Sequence, residues 1–134
     1  MKLVLDTNVF ISAFYWGGNP QKIIGRIIEG SDKLFISDEI LNELADVMAR
    51  PKFKSNPETI KKYIQAIEKI GKKIYIPGNI KVCRDIDDDD KIECGIISNA
   101  DYLITGDYDL LTLKNYQHLK IITINEYITI INAK

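Results

Sequence analysis

The sequence predicts an α/β fold: one three-layer α/β/α domain on a mainly parallel sheet of about five strands. Three observations predict it. Five short apolar runs, rich in β-branched and aromatic residues, are spaced along the 134 residues. Helical patterns lie between them, and strand–helix alternation implies right-handed crossovers between parallel strands. The runs also lack a polar–apolar alternation, as strands covered on both faces do. The length suits a single domain spanning residues 1–134.

The first strand is KLVL (2–5), and Asp6 follows it directly. Asn19–Pro20 reads as an N-cap with proline at the first helical position, opening a helix towards Gly30. The second strand is KLFIS (33–37). A helix from about Asp38 to Ala49 carries the stripe Ile40, Leu41, Leu44, Val47 and Met48, and Arg50–Pro51 ends it. Ser55 and Glu58 have capping-box spacing before a third helix, and KKIYI (72–76) is the third strand. Asp90 and Glu93 repeat that spacing before a helix with Ile92, Ile96, Ile97 and Ala100. DYLIT (101–105) and KIITI (120–124) are the remaining strands, and Thr123 with Glu126 caps a final helix. Gly95 inside a helix costs about 1 kcal/mol against alanine, which points to a close approach of backbone or ligand.

Composition removes several function classes. The net charge of −1 gives no overall basic field for nucleic acid, although a local basic stripe can coexist with an acidic pocket. Cys83 and Cys94 form no C-x-x-C pair, and the only histidine is the distant His118, so a zinc site is not expected. Two lone thiols suit a reducing cytosol and packing roles. No signal-peptide core and no membrane-spanning run are present, so the expected location is cytoplasmic.

The acids point to the chemistry. CRDIDDDDKIEC (83–94) places five aspartates within six positions. Asp6 follows the first strand and Asp107 the fourth, so both reach the carboxyl edge of a parallel sheet, where ligands bind. Each alone could be an N-cap or turn residue. Glu43 falls on the border of its helix's apolar stripe, where a partly desolvated carboxylate wants a cation. Asp90, as the N-cap of its helix, would reach the same edge, with Asp87, Asp88 and Asp89 in the loop before it. An EF-hand fits poorly: counted from Asp85, position 6 is Asp90 rather than glycine, and position 12 is Ile96 rather than glutamate. Carboxylates converging without histidine or thiolate form a hard oxygen site that selects Mg2+ or Mn2+. Metal-assisted phosphodiester hydrolysis is the chemistry such sites commonly perform. Arg50, Lys52 and Lys54 flank Phe53 and could hold phosphates and stack a base, although basic side chains of this kind also serve as solvated faces.

These segments resemble PIN-domain nucleases. LVLDTNVFISA, ISDEILNELADVMARPKF, CRDIDDDDKIECGIISNADYLITGDYDLL and the INEYI-type final helix occur in the family's order, over nearly the whole chain. The closest branch resembles the toxin components of toxin–antitoxin pairs, related to VapC-type ribonucleases. The resemblance implies a metal-dependent ribonuclease with acids at Asp6, Glu43, Asp90 and Asp107. Asp109, after Asp107, is a further metal position. Asn8, Asp87, Asp89 and Thr105 are secondary positions. The family's stretch usually reads C-R-D-P-D-D-D-K; this chain has Ile86 for the proline and one extra aspartate, so Asp87 or Asp89 could share or take the third role. The resemblance also implies an RNA substrate, a homodimer and a cognate antitoxin.

Other readings fit less well. A haloacid-dehalogenase-like phosphatase needs D-x-D after the first strand, and this chain has Asn8 at the second position. A response-regulator receiver needs a phosphoacceptor aspartate after the third strand, where this chain reads IYIPGN. A non-catalytic module of the same fold that only binds RNA or protein is the remaining alternative.

Overall fold

The computed structural model describes residues 1–133. The elements run β1 (Lys2–Leu5), α1 (Thr7–Tyr15), α2 (Gly18–Ile28), β2 (Lys33–Ile36), α3 (Asp38–Met48), a 3-10 turn (Pro51–Phe53), α4 (Pro57–Ile70) and β3 (Gly71–Lys73). They continue with α5 (Ile86–Ile97), β4 (Tyr102–Ile104), α6 (Tyr108–Leu111), β5 (Asn115–Tyr116), β6 (Leu119–Ile122) and α7 (Ile124–Asn132). The strands form one sheet in the order β3-β2-β1-β4-β6-β5. All pairings are parallel except β5 with β6, so the expected parallel sheet carries one short antiparallel edge strand that the sequence reading lacked.

Both faces of the sheet are covered. Leu3, Val4 and Leu5 are successive strand residues that point to opposite faces, and all three are fully buried. α5 packs across β1, β2, β4 and β6, while α1 packs on α2 and α3. Strand order reverses between β1 and β4: the chain moves outward from β1 to β2 and β3, then returns to β1's other side. That reversal opens a crevice at the carboxyl ends of the two central strands.

Several boundaries differ from expectation for physical reasons. The first helix begins directly after Asp6, and its Thr-Asn-Val-Phe-Ile-Ser-Ala-Phe-Tyr composition carries little helical signal. α2 opens at Gly18 after Gly17, so Pro20 sits inside its first turn rather than at the first position. α4 is capped by Asn56, whose Oδ1 accepts the Thr59 amide at 2.8 Å, and Pro57 takes the first position; Ser55 lies outside. β3 starts at Gly71, where an added Cβ would stand 3.1 Å from the Ile36 side chain. The close approach lets α4 run straight into the sheet.

The largest correction concerns α5. Asp85, not Asp90, is its N-cap, and the Asp85 carboxylate accepts the Asp87 amide at 2.9 Å. Starting there puts Asp87, Asp88 and Asp89 in the first turn, where the helix dipole favours negative charge. Asp90 is thereby a helix-interior residue. Gly95 has the packing reason its cost demanded: a Cβ there would lie 2.6 Å from Leu119 Cδ2. Thr123 and Glu126 form the expected capping box.

Candidate active site

The site grows from two strand ends. β1 delivers Asp6, which is buried, and the Asp6 amide donates to Ile104 O of β4 at 2.9 Å. Thr105 follows β4. Its hydroxyl donates to Asp6 Oδ2 at 2.5 Å and accepts the Asp107 amide at 2.9 Å. One buried threonine therefore ties the ends of the two central strands together. Asp107 caps α6, its Oδ1 accepting the Asp109 amide at 3.0 Å. Asp109 faces outward and pairs with the exposed Arg84 at 3.1 Å.

α3 delivers the third carboxylate. Its Ser37 cap, bonded to the Ile40 amide at 3.2 Å, fixes the start of the helix at the sheet edge. Glu43 lies on the second turn at the border of the buried stripe. Its Oε1 accepts the Thr7 hydroxyl at 2.7 Å.

The aspartate run divides its labour by helix phase. Asp88 is buried and faces Asp6 and Asp107. Asp87 meets Glu43. Asp89 is buried but turned to the preceding loop, where its Oδ1 accepts the amides of Val82 and Cys83 at 2.9 and 2.8 Å. Glu93 does the same for Gly78 and Ile80, at 3.0 Å each. These two carboxylates clamp the loop onto α5. Asp90 lies about 200° around the helix from Asp88, among Glu39, Glu93 and Asp89. It is not brought to the acid centre, because the helix begins five residues earlier than the capping-box spacing implied.

Lys91 occupies the middle of the acids. Its ammonium stands 3.0 Å from Asp6 Oδ1, 2.8 Å from Glu43 Oε1 and 3.6 Å from Asp88 Oδ1, and its side chain is only 3% exposed. Burial works against the charged ammonium, but Asp6 and Glu43 outweigh it and raise its pKa. Burial likewise disfavours ionised Glu43, yet the Lys91 hydrogen bond prevails and holds Glu43 below the ordinary range. The partnership with Glu43, then burial, pushes Asp87 up to about 6. Burial pushes Asp88 up to about 6, opposed by Lys91 and aided by the Asp107 and Asp6 charges.

The structure adds Lys91 and Thr7 to the residues the sequence singles out, and brings Asp88, there only part of the loop before Asp90, next to Lys91. Asp88 and Lys91 have an i,i+3 spacing that puts them on one helix face once the start at Ile86 is known. Asn8 follows Asp6 by two residues; its Nδ2 lies close to Gly106, and its Oδ1 is buried and unpartnered. The thiols play no part: burial pushes both Cys83 and Cys94 up to about 12, so both stay protonated packing groups.

The basic segment lies further out. Arg50, Lys52 and Lys54 are exposed. Phe53 is already stacked on Tyr15, with ring centroids 4.6 Å apart, and Lys52 Nζ stands 5.0 Å from its centroid. The ring left open beside it is Trp16, 71% exposed. Tyr15 and Trp16 end the helix that Asp6 begins, about 13 Å along its axis.

The PIN-domain family model matches residues 2–109. The chain belongs to the PIN-domain family. This PIN domain is 36% identical over 140 residues to the uncharacterized protein MJ1680 of Methanocaldococcus jannaschii, covering 96% of this chain and 90% of that protein. Its fold is similar to a chain of VapBC2 from Rickettsia felis, solved bound to a DNA fragment from their promoter, with a TM-score of 0.64 and 16% identity over 92% of this chain and 98% of that one. A chain of VapBC-1 from nontypeable Haemophilus influenzae is similar at a TM-score of 0.61 and 19% identity, over 93% and 99%. PIN domains are typically nucleases, and such nucleases generally use divalent metal ions.

The donors of this PIN domain fit such an ion in kind: carboxylates, a buried amide oxygen without a partner, and no nitrogen or sulfur ligand. They are not closed around a cation position. Among the described residues, no three His, Cys, Asp or Glu side chains are grouped as a ready-made metal cage. Among the same residues, no helix is long and apolar enough to cross a membrane.

Proposed function

We propose that this PIN domain is a Mg2+- or Mn2+-dependent endoribonuclease and the toxin of a toxin–antitoxin pair. One observation carries the reading: Asp6, Glu43 and Asp88 converge on Lys91 from three separate segments, and Asp107 follows the neighbouring strand end, at the switch point of a parallel sheet. In this reading Asp6, Asp88 and Asp107 hold the divalent ion, and Glu43 completes the acid set. Asp88 takes the position that the sequence resemblance gave to Asp90.

A bound divalent cation supplies activation of water for in-line attack on phosphorus and stabilises charge on the leaving oxygen. The chain's own residues do the positioning. Thr105 fixes Asp6 by donating to Oδ2, leaving Oδ1 turned towards Lys91. Asn8 Oδ1, two residues after Asp6, is a buried acceptor without a hydrogen-bond partner. Without a cation, the clustered carboxylates would repel a phosphate chain, so cleavage depends on the metal. Arg50, Lys52, Lys54 and the exposed Trp16 are the proposed contacts for RNA phosphates and a base, with Phe53 as the ring that backs them. The VapBC neighbours favour an antitoxin partner, and the family resemblance favours a homodimer.

The test incubates the protein with tRNA, rRNA and single-stranded oligonucleotides, in Mn2+, in Mg2+ and in EDTA, beside Asp6→Asn. Cleavage that needs the metal and is lost in the variant supports the reading. Full metal-dependent activity in Asp6→Asn overturns it.

A further inference from the structure

We propose that the Lys91 ammonium is the resident second cation of the acid centre, so that the site takes one divalent ion rather than two. The inference rests on the metal-nuclease reading above and specifies how its acids are shared.

Two-metal nucleases hold their ions about 4 Å apart, bridged by shared carboxylates. Here the bridging position is filled by the chain itself. Nζ of Lys91 lies between Asp6 Oδ1 and Glu43 Oε1, at 3.0 and 2.8 Å. An ion ligated by both oxygens would sit about 2.1 Å from each, which is the space the ammonium occupies. Lys91 cannot swing away cheaply, because its side chain is buried on a helix face that packs across four strands.

The accepting capacity of each oxygen separates the acids into two groups. Glu43 Oε1 receives both the Lys91 ammonium and the Thr7 hydroxyl, which uses its two lone pairs. Glu43 also meets Asp87. Glu43 is thereby committed to Lys91 through Oε1, the oxygen a second ion would have to share with Asp6. Asp88 stands 3.6 Å from Nζ, beyond hydrogen-bonding distance, and keeps its oxygens free. Asp107 has only Oδ1 engaged, by the Asp109 amide. Asn8 Oδ1 has no partner. The free carboxylate oxygens therefore lie on the Asp88–Asp107 side, with Asp6 shared between that side and Lys91. Such a division supports one ion on that side and a fixed positive charge on the other. Lys91 then acts as a positioning residue that holds Glu43 and Asp6 and offsets their charge.

The test counts Mn2+ bound per chain by titration calorimetry, and by loss of the free-Mn2+ electron paramagnetic resonance signal. The proteins are the wild type, Lys91→Met and Glu43→Gln, each checked for folding by circular dichroism. The expected counts are one for the wild type, two for Lys91→Met and one for Glu43→Gln, the last with affinity changed by less than about tenfold. If Lys91→Met does not fold, Glu43→Gln carries the test, since it keeps the ammonium and the side-chain shape. Two ions on the wild type overturns the Lys91 assignment. One ion on a folded Lys91→Met does the same, and so does a loss of tenfold or more in Glu43→Gln, which would make Glu43 a metal ligand. Those results leave the metal-nuclease reading standing. No ion on any of the proteins brings down that reading and this inference together.

Discussion

Asp88 and Asp90 are two residues apart and chemically identical, and helix phase alone separates them. Asp88→Asn is expected to lower metal-dependent cleavage by about two orders of magnitude. Asp90→Asn should leave it within about threefold. Single-turnover assays at saturating Mn2+ check both; equal losses would mean that the face of α5 turned towards Asp6 is not the working one. A second residue-scale case lies away from this centre. Asp32 is buried and accepts hydrogen bonds from Tyr127 at 2.6 Å and from Arg26 at 2.9 Å. Burial disfavours its charge, but Arg26 and Tyr127 outweigh that and hold it below its ordinary 3.8. A depressed carboxylate stabilises the fold in full above the unfolded value and loses that contribution as pH falls through the folded one. Asp32→Asn should therefore cost about 2 kcal/mol near pH 7, and the gap from wild type should close below about pH 4. Urea denaturation across that range measures it, and a gap independent of pH would contradict the pairing. Asp6 was legible in the sequence because a strand ends immediately before it. Lys91 was not, because a lysine after four acids looks like a solvated charge until the helix start is known.

At the scale of elements, α5 joins the acids to the sheet, and its fit is tightest at Gly95. An alanine there gains about 1 kcal/mol of helix propensity but drives a methyl into the buried Leu119 of β6. Overpacking of that kind costs about 1–3 kcal/mol, so Gly95→Ala should be net destabilising. Leu119→Ala alone should cost about 2–5 kcal/mol, and Gly95→Ala/Leu119→Ala should lose less than the two single losses added, which a double-mutant cycle by thermal denaturation would read. Much of the element pattern was legible. The apolar runs gave β1, β2, β4 and β6 to within a residue or two, and Ile40, Leu41, Leu44 and Met48 gave α3. α1 was not, because Val9, Phe10, Ile11, Phe14 and Tyr15 are residues that favour strands locally, and burial against α2 and α3 overrides that preference. The start of α5 was misplaced because five aspartates offer several plausible caps. The choice is made by tertiary contacts: Asp89 and Glu93 each hold a pair of loop amides, and a helix that already includes Asp89 puts it on the same face as Glu93, towards that loop.

For the molecule as a whole, two acids of the centre, Asp87 and Asp88, oppose folding at neutral pH, and a divalent ion should relieve that cost. Two carboxyl groups, Asp87 and Asp88, are pushed up to about 6 by burial and by their neighbours, so holding them ionised near pH 7 costs stability. An ion that binds only the folded state stabilises it by mass action, about 2.7 kcal/mol at a hundred times its Kd. Saturating Mn2+ should raise the thermal midpoint of the wild type by several degrees, and Asp6→Asn should lose most of that rise. A rise of equal size in both proteins would locate the ion elsewhere. The open sheet accounts for why a chain of net charge −1 can gather so much acid in one place: strand order reverses once, at β1 and β4, and the crossovers deliver acidic turns to that single crevice. Trp16 carries a consequence of a different kind. It is the chain's one tryptophan, and it stands exposed beside Tyr15 and Phe53 rather than in the core. Intrinsic fluorescence excited at the indole band therefore reports this one surface spot. Its emission should already be red-shifted in the native protein, change little on unfolding, and quench when a nucleobase stacks on it. The protein thus carries an unlabelled optical probe at the place where a bound strand is proposed to lie.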